Sequence, residues 1–540
     1  MSGGHTDALR GSAGTDMGPQ DQARRLTQIA LVAMLGLVLV EVAGVLLRPA
    51  LPVDETRYLA VAWEMHLNHN WLVPTKNFEL YSDKPPLLFW LINLSWAIFG
   101  VSDLAARIVA PLIAFVVALL TGKLAARLWP EDVGIQTRAI LSLIAMPFFL
   151  FDGGLTMFDT LLTACVLAGL IALTHAGEGR RAGWLWFGGA VALGVLAKGP
   201  VILFHLMPAA LTLPLWHRDR PGWAPTLKGV GLGLLAALAL VALWLLPAIL
   251  TGGEEYRNAI LWKQSAGRMS ESFAHARPVW WYLPLLPLLF FPWILVPQVW
   301  KRLRQFATDP VLRLMAIWVM TTLLLFSLVS GKQPHYLAPE LPAIALLAAR
   351  LLREGKVSLY IAAVVPGLLA LVMLVGGAGL LNARQAEPLL LPRGVPIAAA
   401  LAIITLLWFV LPRMRLGSAA LLSLGLTLVL NLALGLSHAR DLYDARAVTD
   451  LVGRYEDAGI AFAGQSYHAE FNFAGRMTHP VALLDEVTLD DWATTHPEGV
   501  LIARTDRFDP GWVARWTTTY RNRNYAVWRM VDRPATETKP

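Results

Sequence analysis

The chain has 540 residues, of which 56% are hydrophobic and only 15% charged, and its mean hydropathy is +0.53. Soluble domains carry about 25% charged residues, so this composition excludes a soluble globular protein. The net charge of +7 would suggest nucleic acid in a soluble chain, but here the basic residues lie mostly between apolar runs. The positive-inside rule accounts for them there and excludes nucleic acid as a partner. Cys165 is the only cysteine, which excludes intrachain disulfides and a cysteine-based zinc site.

Residues 1–22, rich in Gly, Ser, Asp and Gln, read as a disordered cytoplasmic tail. Arg24 and Arg25 precede the first apolar run, about residues 28–48, which is too long for a signal-peptide core and reads as a retained anchor. Leu51 to Trp90 is the most polar stretch of the N-terminal half. Residues 85–100 are short, Trp-bearing and bounded by Pro and Gly, as expected of a helix lying flat on the outer leaflet. Further spans follow near 103–126, 137–152, 155–174, 183–197, 200–216, 229–250, 282–300, 312–330, 336–351, 357–381, 394–412 and 416–437.

Charge decides this topology. With 85–100 flat, Lys123, Arg127 and Arg138 fall inside, as do Arg180 and Arg181, and Arg218, Arg220 and Lys228. So do Lys301, Arg302 and Arg304; Arg350, Arg353 and Lys356; and Arg413 and Arg415. Were 85–100 a span, every one of these clusters would lie outside, against the rule. Residues 23–437 are therefore expected to form an α-helical polytopic membrane domain of about thirteen spans. Residues 438–540 change composition abruptly. There AVTDLVGRYEDAG and YHAEFNFAGRMT read as helices and IAFAG, VALL, GVLIAR and YAVWRMV as strands, which predicts a small periplasmic α/β domain. No internal repeat or nucleotide-binding loop is visible.

The polar residues that matter fall on the outer face. Asp54, Glu55 and Arg57 follow the first span, and ionisable residues beside hydrocarbon default to a functional reading. Carboxylates at such a boundary act as a general base, stabilise a cationic transition state or hold a metal. The alternative for Asp54 is a helix N-cap. Asp159, in FDGGLTMFDT, is a second acid with the same alternative, while Asp152 in DGG reads as a turn residue. Asp83 and Lys84 precede a Pro-Pro pair that fixes the start of the flat helix; Lys84 suits an anionic headgroup or simply snorkels. Lys198 lies at a span end. Arg257, Lys263, Arg268, His275 and Arg277 crowd the outer segment 251–281, against the positive-inside trend, and a bound phosphate would explain them. Lys332, His335 and Tyr336 stand at the mouth of a later span. Acids plus phosphate-binding cations at one membrane face, with no nucleotide motif, fit a polyprenyl-phosphate sugar as substrate.

DETRY (Asp54, Glu55), KPPL (from Lys84), FDT (Asp159), KGP (Lys198) and HYLAPELPAIALL (from His335) resemble the polyprenyl-phosphate-sugar-dependent glycosyltransferases of the C superfamily (GT-C). Within them the resemblance is to the protein-O-mannosyltransferase-like group, with the lipid A aminoarabinose transferases nearest in layout. It implies a GT-C fold with interfacial outer helices and a periplasmic α/β domain. It also implies Asp54 and Asp159 as principal acids, with Glu55 beside them. Lys84, Arg268 and Tyr336 would hold the lipid phosphate, with His335 and Lys332 nearby and Asp83, Arg57 and Lys198 at the substrate. This chain carries Asp83-Lys84-Pro85 where the aminoarabinose transferases carry Glu-Lys-Pro, which leaves the sugar and a divalent metal ion open. Expected partners are membrane lipids, a lipid-linked donor and a glycolipid acceptor, with the chain a monomer in the bacterial inner membrane. The rival reading is a transporter or flippase of a lipid-linked anion, whose site would lie near the midplane among broken helices.

Overall fold

The computed structural model describes residues 19–260, 277–302, 304–352, 359–381 and 392–534. Among them, eight helices are long and apolar enough to cross a membrane, nine if the bent pair Ile135–Ile144 and Pro147–Gly153 counts as one crossing. In chain order the first are α1 (Pro19–Leu47), α2 (Asp54–Leu67), α3 (Leu87–Phe99), α4 (Asp103–Arg107) and α5 (Val109–Leu128). The bent pair supplies α6 and α7, followed by α8 (Phe158–Gly177), α9 (Arg181–Lys198), α10 (Ile202–Leu211), α11 (Leu213–Trp216) and α12 (Trp223–Asn258).

Of the other expected spans, 394–412 is one helix, Gly394–Val410, 183–197 and 200–216 reverse on each other as expected, and 282–300 is broken by Pro. By length alone Arg181–Leu211 is one helix, yet it turns back on itself. Lys198 meets Asp159 at the start of α8, whereas His217, just past α11, packs on Thr174 near the end of α8, with its Nε2 3.1 Å from the Thr174 carbonyl. The reversal sits at Gly199 (φ 78°), a left-handed conformation that glycine adopts without penalty. The expected span 282–300 is a chain of short helical pieces from Val279 to Lys301, interrupted by Pro284, Pro287, Pro292 and Pro297. It packs on a neighbouring segment: Trp293 Nε1 donates to the Ser142 carbonyl at 2.9 Å. Small residues let helices approach elsewhere. A Cβ on Gly188 of α9 would lie 2.4 Å from the Gly233 carbonyl of α12.

The charged loops segregate to one end. Arg350 lies 3.3 Å from Asp309 and 3.6 Å from Asp132, Arg138 pairs with Asp132 at 2.5 Å, and Arg218 with Glu131 at 2.9 Å. Asp54, Asp159 and Lys198 gather at the opposite end, capped by α2 and α3. Between these two helices a hairpin forms from β1 (Thr75–Lys76) and β2 (Glu79–Leu80). Its turn residues Asn77 and Phe78 both have positive φ, and the buried Glu64 carboxylate of α2 accepts both their amides, at 2.6 and 2.8 Å.

After residue 438 a five-stranded mixed sheet forms in the order β4-β3-β5-β7-β6. The strands are β3 (Ile460–Ala463), β4 (Ala482–Leu484), β5 (Val500–Arg504), β6 (Trp516–Tyr520) and β7 (Arg523–Arg529). β3 runs parallel to β4 and β5, and β7 antiparallel to β5 and β6. Two expectations are corrected here. YHAEFNFAGRMT is a series of turns, not a helix: Ala469 and Arg476 take positive φ, and the side chains of Tyr467, Glu470 and Asn472 bond locally in place of a helical ladder. The second helix is instead Thr488–Thr495, and the strand WTTTY was missed.

The sheet docks on α2 and the hairpin. Asn77 bonds both backbone groups of Val481 (2.8 and 2.9 Å), Asn472 bonds Asn77 Oδ1 at 3.3 Å, and Trp63 donates to the Met477 carbonyl at 2.8 Å. The positive-inside rule puts the Arg350 end in the cytoplasm. A cysteine at Ser82 should therefore react with a membrane-impermeant maleimide in intact spheroplasts, and one at Gly179 should not. Labelling at Gly179 with silence at Ser82 would invert the topology.

Candidate active site

α2 starts at Asp54 itself, and its N-cap, Val53, makes no side-chain bond. Asp159 is likewise the second residue of α8, whose N-cap is Met157, again with no side-chain bond. Neither acid is a helix cap, so the capping alternative falls for both. The Asp54 side chain is 44% exposed; it accepts from the Arg57 guanidinium and, at 3.3 Å, from the Tyr58 hydroxyl. The Tyr58 ring stands edge-on to Phe158 with centroids 4.9 Å apart, which ties the Asp54 helix to the residue before Asp159.

Asp159 is buried and holds Lys198 on Oδ1, while Oδ2 lies 4.0 Å from His335 Nε2. Lys198 Nζ also sits 4.5 Å above the Tyr336 ring, a cation–π contact that fixes its position. Burial holds the His335 imidazole below its usual range. The charges of Asp159, Lys198, Asp54 and Lys84 all bear on it, the acids opposing that shift and the cations reinforcing it. At neutral pH it is an uncharged donor or acceptor. The structure thus brings Asp54, Lys84, Asp159, Lys198, His335 and Tyr336 around one spot at the mouth of the bundle. Asp152 is nearer than a turn residue would need to be: it is buried, takes the Thr160 hydroxyl at 2.9 Å, and its carboxylate feels Asp159 and Lys198.

Glu55, Lys332, Asp83 and Arg57 do other work or stand elsewhere. Glu55 faces into the protein: Arg48 binds it, Leu51 N and Thr156 N donate at 2.9 and 2.8 Å, and Arg107 lies 3.9 Å away. We read it as a positioning residue, because its lone pairs are already taken. Burial opposes its charge, but Arg48, then Arg107, pull it down to about 2. Lys332 is buried, with its ammonium bonded to the carbonyls of Arg277 (3.1 Å) and Val329, so it ties the outer segment to a helix end. Asp83 is exposed, and Arg57 is taken up by Asp54 and Tyr58. Arg268, with Lys263 and His275, lies outside the described residues. Among the described residues, no cluster of three or more His, Cys, Asp or Glu is arranged to hold a metal ion.

Sequence reasoning missed Tyr58, and it missed Arg48 and Arg107, which look like ordinary residues at span ends. It also missed a fully buried pair inside the bundle, His205 Nδ1 and Glu340 Oε1 at 2.7 Å.

Residues 83–246 match a family model described as dolichyl-phosphate-mannose-protein mannosyltransferase. Two relatives are undecaprenyl phosphate-alpha-4-amino-4-deoxy-L-arabinose arabinosyl transferases. One, from Pseudomonas fluorescens, is 30% identical over 60% of each chain; the other, from Pseudomonas aeruginosa, is 33% identical over 54% of each. The chain thus matches about three-fifths or less of these relatives' length. The structure is similar to that of ArnT from Cupriavidus metallidurans bound to undecaprenyl phosphate, with a TM-score of 0.73 and 20% identity, covering 97% of this chain and 100% of that one. The fold is the GT-C fold of a multi-pass membrane protein, and the resemblance drawn from DETRY, KPPL, FDT, KGP and HYLAPELPAIALL is borne out.

Glu55 supplies a test of the frame. E55Q should cost about 3–5 kcal/mol of stability, because it strands buried Arg48. A carboxylate held down to about 2 stabilises the fold above its unfolded value of about 4.3. The stability gap between the parent and E55Q should therefore be full above pH about 4.3 and close as pH falls toward about 2. A gap that stays constant across that range in thermal melts would refute the ion-pair account.

Proposed function

We propose that the chain moves a sugar from a polyprenyl-phosphate donor to a lipid A-like glycolipid or other cell-envelope acceptor, on the periplasmic side of the inner membrane. The observation that carries this reading is the buried Asp159–Lys198 pair beside Asp54, Lys84 and His335, at the end of the bundle opposite the basic loops. The relatives named for an undecaprenyl-phosphate aminoarabinose suggest the donor class. A flippase would carry its charges near the midplane; these lie at one end.

In this reading the bond from the anomeric carbon to the phosphate oxygen breaks as the acceptor oxygen attacks, and polyprenyl phosphate leaves. Positive charge grows at the anomeric carbon and negative charge on the leaving phosphate. Lys84 and Lys198 favour the second, a preference that strengthens in the transition state and so raises the rate. Tyr336 holds Lys198 in place. Asp54, the more exposed acid, takes the proton of a hydroxyl acceptor; for a phosphate acceptor no base is needed and it stabilises the sugar cation. Asp159, neutralised by Lys198, orients that lysine and faces the donor.

Incubating the purified protein with a radiolabelled polyprenyl-phosphate sugar and acceptor lipid should release polyprenyl phosphate and label the acceptor. D54N should bind donor yet transfer about 10²–10⁴-fold more slowly with a melting temperature near the parent's, while D159N should slow transfer as much and also melt lower, because it leaves Lys198 without its buried partner. Full transfer in both variants would remove the acids from the mechanism.

K84A should insert and purify normally but use donor roughly ten- to a hundredfold less well, the loss of one charge-assisted contact to phosphate. Parental turnover with K84A would withdraw the phosphate assignment.

A further inference from the structure

At the far end of α2 from Asp54, a cavity of about 410 Å³ opens between the outer helices and the C-terminal sheet unit. Trp63, His66, Leu67, His69, Val101 and Arg476 line it. The Arg476 Cζ lies 3.7 Å from the Phe473 ring centroid and 5.6 Å from that of Trp63, and one of its N–H groups donates to the Phe473 carbonyl, leaving the others for a ligand. His66 stacks on Trp63 with centroids 6.0 Å apart. These residues are lined up for a ligand: a guanidinium braced by aromatic faces keeps its fork of N–H donors in one plane. The acid whose charge bears on Arg476, Asp103, is bound to Arg107 at 2.8 Å, so the cation is not neutralised by a direct partner of its own.

Val101 of the lining follows α3, whose Leu94, Ile98 and Phe99 are 57%, 64% and 69% exposed. A cationic, aromatic cavity whose edge is a ridge of exposed hydrophobic side chains suits an amphiphile, with its anion in the cavity and its chains along the ridge. His66 lies twelve residues from Asp54, about 18 Å along the helix axis.

We propose that this cavity is the acceptor's second anchor: it binds one phosphate of a phosphorylated glycolipid whose other end reaches Asp54, an assignment that rests on the transferase reading. Arg476 takes the phosphate oxygens with the N–H groups that Phe473 leaves it, and His66 and His69 donate to the same group.

The test is direct binding to the full-length protein in detergent micelles, which needs no turnover and so fails independently of the transferase assay. Lipid A, its dephosphorylated counterpart, phosphatidylglycerol and inorganic phosphate are the probes. Lipid A should bind the parent and bind R476A roughly ten- to a hundredfold more weakly, the usual worth of a charge-assisted phosphate contact. Dephosphorylated lipid A should bind both proteins equally weakly. In turnover, R476A should raise the KM for acceptor by the same factor, with the KM for donor and kcat at saturating acceptor near the parent's. H69A, at an exposed position, repeats the binding test should R476A fold poorly, and should weaken lipid A several-fold. Lipid A binding unchanged in both variants would overturn the site. Phosphatidylglycerol or inorganic phosphate competing as well as lipid A would overturn its assignment to the acceptor.

Discussion

Taking the Glu55 carboxylate out of water at a membrane face costs on the order of several kcal/mol unless its partners are in place, and those four partners come from three separate parts of the chain. Arg48 ends the first span, Arg107 ends α4, Leu51 precedes α2, and Thr156 precedes α8. Arg48 reaches on to the Gly154 carbonyl, and Arg107 to the Arg48 carbonyl at 2.9 Å. One buried charge therefore gathers the strands of backbone that precede Asp54 and Asp159. The acids stand about a hundred residues apart in sequence, and this knot is what makes them neighbours.

The same economy governs the inner shell. Asp159 is paired with Lys198, and Lys198 is held over Tyr336, so the buried charges of the site compensate one another while Asp54 stays open to water. On the proposed function, a fixed cation and one water-exposed acid suit a substrate that brings its own negative group.

Much of this was legible from residue order. Charge asymmetry separated the two ends of the bundle, because basic loops obey a rule that acts on short segments. Asp54, Asp159, Lys84, Lys198, His335 and Tyr336 announced themselves as polar residues at apolar boundaries. What stayed hidden had a common cause: its meaning lies in three-dimensional partners. Glu55 adjoins Asp54 and looks equivalent to it, yet on a helix adjacent residues point about 100° apart, so one faces the mouth and the other the knot. Lys332 reads as a free cation until the carbonyls around it are seen. YHAEFNFAGRMT has helical composition, but local side-chain bonds and two left-handed residues turn it into the surface that meets the outer hairpin. Arg268 falls outside the described residues, so its assignment stays with the sequence.

The grip of that surface on the hairpin has a consequence for how the protein is made. Asn472 and Val481 clasp Asn77, and the hairpin they clasp leads directly into Tyr81 and Lys84. Synthesis places residue 77 at the outer face hundreds of residues before residues 472–481 exist. Through all of that interval the bundle inserts, span by span, with the lysine-bearing loop unclasped. On the proposed topology, the tail of the chain crosses the bilayer and folds back before the hairpin is clasped. A half-made copy, even with every span in place, holds the lysine-bearing loop without that clasp.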